Sequence, residues 1–386
     1  MTLRHTKRAA TVLCAAWIAL LALLAHGNTS RAQSVAAPAD TSFAGLVQSL
    51  SEPGGYFDSD NIITNEQSYL HVSSQLAKVH VHGGLYLGVG PDQNFSYIAL
   101  IKPSMAFIVD IRRDNLLEHL LFKSLFMMSR NRLEYICLLL GKAVPPNIDA
   151  WTGRPIGEVL AYLGRTPVDS ATVLATRTAS NDRITQLHLP LDAHDREVID
   201  AYRAEFVTEG LDTRYSSLGR NNRNDYPSFG GLIVATDRAG RTIGYLADEN
   251  AFQFVRQMEV ANRIVPVIGN VAGNQAMKAV AKYAAGHHLS ISAFYLSNVE
   301  QYLMGRDGGF DAYARNVAML PHDSASVIIR SYFGGRFGAN QHPLYVPAPG
   351  NLSTSLVERM DSFNHAYAAG EIQSYLELVS SRYITP

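Results

Sequence analysis

The sequence predicts an α/β fold, a mainly parallel sheet covered by helices and carrying a largely helical insertion. Three observations predict it. Short apolar runs at residues 85–90, 106–110, 264–268, 289–296 and 326–330 alternate with helix-length segments, the rhythm of strands buried on both faces. The first run ends in Gly88-Val89-Gly90, and the second ends in Asp110, 20 residues after Gly90. Residues 145–230 lose the strand rhythm and carry Pro145, Pro146, Pro155, Pro167 and Pro190, which marks an insertion or cap beside the core.

The N-terminal 32 residues form a class of their own. Arg4, Lys7 and Arg8 precede an apolar stretch over residues 9–25, and Ser30-Arg31-Ala32 offers small residues before Gln33. This is the layout of a secretory signal peptide, and it predicts export to a periplasmic or extracellular space. The alternative is an uncleaved anchor, because the apolar run is close to the roughly 20 residues that span a bilayer. That segment is the only expected membrane contact. Residues 33–386 are expected to form one Rossmann-like domain. Cleavage removes four of the 33 basic residues (Arg4, Lys7, Arg8, Arg31) and none of the 34 acids, so the formal charge moves from −1 to −5. No block of Lys and Arg stands out, which argues against a nucleic-acid partner. With Cys14 in the leader, Cys137 is alone in the mature chain and is read as a small buried hydrophobe.

The elements follow in order. Residues 43–50 suit a short helix, and Pro53-Gly54-Gly55 a turn. The polar stretch from Tyr56 to Glu66 reads either as a loop over a pocket or as a cap, with Thr64 or Asn65 starting the helix of Tyr69, Leu70, Val72 and Leu76. Asp114 is the expected N-cap of a helix whose Leu116, Leu117, Leu120, Leu121 and Leu125 keep the 3.6 period. Further helices are expected at residues 195–209, 247–260, 274–285, 299–304, 354–368 and 371–380. The arginine-rich loop with Arg214, Arg220, Asn221, Asn222, Arg223 and Asn224 reads as a solvated surface loop in preference to a site for an anionic substrate group.

Ligands of a parallel sheet bind outside the carboxyl ends of its strands. That rule selects Gly88, Gly90, Asp92, Asp110, Arg112, Asn270, Asn298, Glu300 and Tyr302, and Arg330 with Tyr332. Glycines after the first strand let backbone amides approach a nucleotide-like ligand, and an acid ending the second is placed to accept from ribose hydroxyls. Position 93 is Gln where a dinucleotide fingerprint has its third glycine, which disfavours NAD and FAD. No Walker loop, Gly-x-Ser-x-Gly elbow or His-Glu-x-x-His motif is present. His80 and His82 would share one face of a strand, but no third ligand is evident, so no metal is expected.

Residues 83–115 resemble the class I S-adenosylmethionine-dependent methyltransferase core, with Tyr86 in place of that family's acid two residues before the first glycine. The resemblance implies a methyltransferase-like fold with S-adenosylmethionine as a possible cofactor. Gly88 and Gly90 would face its methionine and ribose part, and Asp110 the ribose hydroxyls. Arg112, Asn270 and Asn298 complete the expected binding set, and Asp92, Glu300 and Tyr302 are the unranked candidate bases. Pro53 to Asn61, Gly88 to Tyr97, Phe107 to Leu117 and Tyr295 to Tyr302 are similar to an uncharacterised bacterial family. Two readings result. One is a methyltransferase-like protein acting on a small molecule. The other is an exported ligand-binding or envelope-associated protein that keeps the fold without the reaction. N-terminal sequencing of protein from its native host should find Gln33 or a near neighbour first; an intact Met1 in a soluble cytosolic fraction would remove the export expectation.

Overall fold

The computed structural model of the chain describes residues 42–59, 61–217, 226–333, 352–380 and 382–385. The expected leader, Asp60 and the Arg220 to Asn224 loop lie outside the described residues.

Among the described residues, six strands make one sheet. They are β1 (Leu85–Gly88), β2 (Met105–Asp110), β3 (Ile264–Ile268), β4 (Ile291–Tyr295), β5 (Val327–Tyr332) and β6 (Thr354–Arg359). Their spatial order is β3-β2-β1-β4-β5-β6. The first five run parallel, and β6 returns antiparallel along β5. The sheet is therefore mixed, mostly parallel and covered by helices. β1 and β3 to β5 are buried at every position, which explains why they read as continuous apolar runs. The chain steps outward from β1 to β3, then crosses back to β4 on the other side of β1. At that reversal a gap opens beyond the carboxyl ends of the strands. Gly88 pairs with Ile108 on one side and Tyr295 on the other, so the ends of β1, β2 and β4 meet at that gap. The outer edge of β3 is partly closed by the chain after α1 (Phe43–Leu50): Glu52 N–H donates to Ile268 O at 2.9 Å.

Local signals set the helices. α2 is Ser73–Lys78 and α3 Gln93–Ile101, which stops at Lys102-Pro103. α4 is Arg113–Met128, and α5 Arg132–Leu139. The insertion supplies α6 (Ile156–Arg165), α7 (Ser170–Thr185) and α8 (Ala193–Glu209). Asp169 caps α7, and Asp192 with Asp195 forms a capping box on α8. α7 and α8 pack on α4, where Arg113 pairs with Asp195 at 2.6 Å. Then come α9 (Phe229–Ile233), α10 (Glu249–Val260), α11 (Ala276–Gly286), α12 (Val299–Met304), α13 (Gly309–Met319), α14 (Met360–Ala368) and α15 (Tyr375–Ser380).

Several expectations are corrected. Residues 354–368 are not one helix: Thr354 to Arg359 pair with β5 over six registered positions, and only then does α14 begin. The open edge of β5 and a buried partner for Glu358 override the helical reading. The segment at Tyr69 starts as a 3₁₀ turn, Tyr69–Val72, without a side-chain cap from Thr64 or Asn65. Arg112 occupies the cap position of α4, and Asp114 sits in its first turn. His80 lies in a turn at φ 57° and His82 in the irregular stretch before β1, so they share no strand face.

β5 and β6 are joined to α12 by a buried ion network. Arg330 Nε lies 2.6 Å from Glu300 Oε2, and its Nη1 lies 2.5 Å from Glu358 Oε2. Tyr313 donates to Glu300 at 2.8 Å, and Arg382 reaches Glu358 at 3.2 Å. Two carboxylates share one buried guanidinium, so removing it leaves both without their central partner. Arg330→Met is expected to cost on the order of 3–5 kcal/mol in urea unfolding; a loss below about 1 kcal/mol would show that the network is not structural.

Candidate functional site

The loop after β1 is fixed from inside. Asn94, in the first turn of α3, donates through Nδ2 to the carbonyls of Val89 (2.9 Å) and Pro91 (2.7 Å), with Gly90 O at 3.3 Å. Its Oδ1 accepts from the Tyr86 hydroxyl at 2.8 Å, which is the use this chain makes of Tyr86. A β-carbon on Gly88 would lie 1.9 Å from Asn94 Oδ1. Gly88 therefore serves this packing and does not line the cleft. Gly90 does line it, at φ 79°, a left-handed conformation that favours glycine. His119 Nε2 meets Gly90 O at 3.0 Å; burial pushes the imidazole down to about 4, so it is neutral and Nε2–H donates.

The cleft encloses about 1170 Å³, its solvent-filled mouth included. It occupies the gap beyond β1, β2, β3 and β4. Asp110 lines it from β2. Its Oδ1 accepts the Arg112 N–H at 2.8 Å and lies 3.3 Å from Arg112 Nε, while Oδ2 has a 3.5 Å contact with Arg112 Nη2. Burial works against the Arg112 charge, and Asp110, Tyr202 and Glu118 together outweigh it, so the guanidinium stays charged. Arg112 also donates to Ser59 O at 3.2 Å, tying the cleft floor to the loop above it. Asn270 lines the cleft after β3; Glu52 accepts its N–H at 2.7 Å and caps the start of α11 through Gln275 and Ala276. Asn298 and Tyr302 line it after β4.

Two candidate bases point elsewhere. Val299, Tyr302 and Leu303 share the face of α12 that meets the cleft. Glu300 is turned roughly 100° from Val299, inward, to Arg330 and Tyr313. Asp92 is buried beside the cleft, its Oδ2 accepting from Tyr245 at 2.9 Å. The expected set thus divides: Gly90, Asp110, Arg112, Asn270, Asn298 and Tyr302 meet at the cleft, and Gly88, Asp92, Glu300, Arg330 and Tyr332 do not.

Four cleft features escaped the strand-end rule. Tyr56 and Phe57 come from the polar loop, and Phe57 packs edge-on against Tyr302 with ring centres 5.1 Å apart. Gln93 donates to the Tyr295 hydroxyl at 2.9 Å. Ser297 holds a left-handed φ of 52°, and its hydroxyl donates to Glu66 at 2.5 Å. Glu66 is fully buried; it accepts also from Tyr295 at 2.7 Å and from the Ser331 hydroxyl, and burial raises its pKa against those bonds. Ser297 was readable, since it directly follows a strand run. Glu66 was not, because its partners lie more than 200 residues away.

The profile of a domain family of unknown function, DUF7790, matches residues 61–144 and 193–371. The two matched stretches hold most of the cleft and all six strands, and they leave out α6 and α7. No curated protein matches the sequence.

Burial pushes the Asp92 carboxyl from its ordinary 3.8 up to about 6, against the Tyr245 hydrogen bond. The folded value is the higher one, so folding favours the protonated acid. Its stabilisation is full below about pH 3.8 and is lost as the pH rises through about 6. Asp92→Asn keeps an acceptor for Tyr245 and cannot ionise. It is expected to stabilise the protein at about pH 7.5 by on the order of 1–3 kcal/mol, with the gain gone near pH 4. Urea unfolding of both proteins at the two pH values checks this; coincident curves at the higher pH contradict it.

Proposed function

The chain belongs to the DUF7790 family of unknown function, and from that premise we propose that its cleft binds S-adenosylmethionine or a closely similar nucleoside ligand. The observation that carries this reading is the cleft at the reversal between β1 and β4, with Gly90 on one wall and the Asp110 carboxylate at the end of β2. The strand order supports a Rossmann-like reading, and the antiparallel last strand distinguishes the sheet from all-parallel dinucleotide folds. Asp110 Oδ2 keeps room to accept from a ribose hydroxyl, because Arg112 engages mainly Oδ1. Gly90 brings backbone close to the ligand without a side chain. Asn270 and Asn298 offer amide donors and acceptors from the flanking strand ends, and Tyr56, Phe57 and Tyr302 offer aromatic surface for a base.

The reaction class proposed with this ligand is methyl transfer. It is an in-line displacement, so positioning of donor and acceptor is the main contribution the protein makes. Tyr302 is the one candidate base that lines the cleft. The displacement of Asp92 and Glu300 from the cleft favours a second reading, an exported protein that binds the ligand without catalysis. Under either reading, the residue 1–32 leader directs the mature chain out of the cytoplasm.

Calorimetry on the mature chain separates these ideas from failure. S-adenosylmethionine should bind, and Asp110→Ala should weaken it by about 1–3 kcal/mol, roughly 5- to 150-fold. Asp110→Asn, which leaves an acceptor in place, should fall between. No heat of binding at millimolar ligand removes the proposal. Binding without methyl transfer to any small-molecule acceptor supports the second reading.

A further inference from the structure

Ser297 follows β4 at its carboxyl end, and α12 starts two residues later. It is half-buried and lines the cleft. Its φ of 52° is one that residues with side chains rarely adopt, and strain of this kind gathers at functional sites. The backbone around it is fixed: Leu296 N–H donates to Ile329 O at 2.9 Å, and Ser297 O accepts from Ser331 N–H at 2.7 Å. A serine on a strained strand-to-helix turn is one way a sheet presents a hydroxyl at its carboxyl end. Here the hydroxyl also has a base, because it donates to Glu66 Oε1 at 2.5 Å. Glu66 is 0% exposed, and no Lys, Arg or His pairs with it among the described residues. The Tyr295 and Ser331 hydroxyls donate to it as well, so three bonds orient the carboxylate and no cation holds its charge. The other titratable groups that feel that charge are the phenols of Tyr86, Tyr97 and Tyr375, which burial keeps neutral.

We propose that Ser297 is a nucleophile of the cleft with Glu66 as its base, and that the pair acts on a carboxylic ester. The Ser297 oxygen bonds to the acyl carbon while its proton passes to Glu66. The bond from that carbon to the ester's alcohol oxygen then breaks, and the alcohol leaves with the proton. Water attacks the acyl-serine in the same way: its proton passes through Glu66 back to Ser297, and the acid is released. Val271, Val299, Leu303 and Phe333 give the cleft apolar wall for the acyl group. Burial raises the basicity of Glu66, which favours it as the proton's destination. The pair goes beyond the nucleoside reading and does not depend on it.

The test labels the mature protein with diisopropyl fluorophosphate. A nucleophilic Ser297 forms a bond to phosphorus, fluoride leaves, and Glu66 takes the hydroxyl proton. Peptide mass spectrometry should find the diisopropylphosphoryl group on Ser297. The labelling rate should rise with pH through an inflection above 4.5, because only the ionised carboxylate accepts the proton and burial raises its folded pKa. Glu66→Gln should slow labelling at least about 100-fold, and Ser297→Ala should abolish it. Should Glu66→Gln fail to fold by its thermal transition, the pH profile and the position of the label in the unaltered protein decide. No label on Ser297, a rate without the inflection, or an unchanged rate in folded Glu66→Gln each overturns the proposal and leaves the Ser297–Glu66 bond a structural one. S-adenosylmethionine binding is measured by calorimetry on unlabelled protein, so the nucleoside reading stands or fails on its own result.

Discussion

Asn94 reaches back to the β1 loop only because Gly88 carries no side chain, since a β-carbon there would sit 1.9 Å from Asn94 Oδ1. From that position one amide gathers the carbonyls of Val89, Gly90 and Pro91 and takes the Tyr86 hydroxyl on its other side. Neutral His119 holds Gly90 O from α4. The loop is thus pinned from within the protein, and its outer surface is left to the cleft. The division of labour between the two glycines follows. Gly88 answers a packing demand, and Gly90 answers a backbone conformation at the cleft wall. A pinned loop needs no rearrangement to receive a ligand, which lowers the entropic cost of binding.

The buried charges sort by whether the fold completes them. Arg330 lies between Glu300 and Glu358, and every one of the three has a partner within 3.2 Å. Its work is to join β5, β6 and α12. Glu66 has no cation among the described residues but is met by three hydroxyls, one of them from Ser297 at the cleft. Ser297 in turn holds a left-handed backbone, a strained state for a residue with a side chain, and the Glu66 bond helps to hold it there. Asp92 has one hydroxyl and an orphaned oxygen. The series runs from structural completion to deficit, and the deficit lies beside the cleft.

Much of the sheet was legible in the sequence because covered strands must be apolar on both faces. The runs at 85–88, 264–268 and 291–295 carry no competing helical period. The glycine pair and Asp110 were legible because strand ends impose a role on whatever residue stands there. β6 was not: Thr354 to Arg359 owe their extended form to the edge of β5, and no local pattern announces a neighbour. Glu300 was misplaced for a different reason. The strand-end rule gives axial position and says nothing of rotation, and α12 turns Glu300 away while bringing Tyr302 round to the cleft. The spacing of Val299, Tyr302 and Leu303 held that information, had the helical face been applied to the strand-end list.

Asp92 shows why a side chain can be misassigned and still matter. The sequence put it at the end of β1 as a base. The structure moves it one wall back, beneath Tyr245, where it destabilises the fold once ionised. Its one hydrogen bond, to Tyr245, leaves the second oxygen without a partner among the described residues, and replacement by Asn keeps that bond and removes the charge.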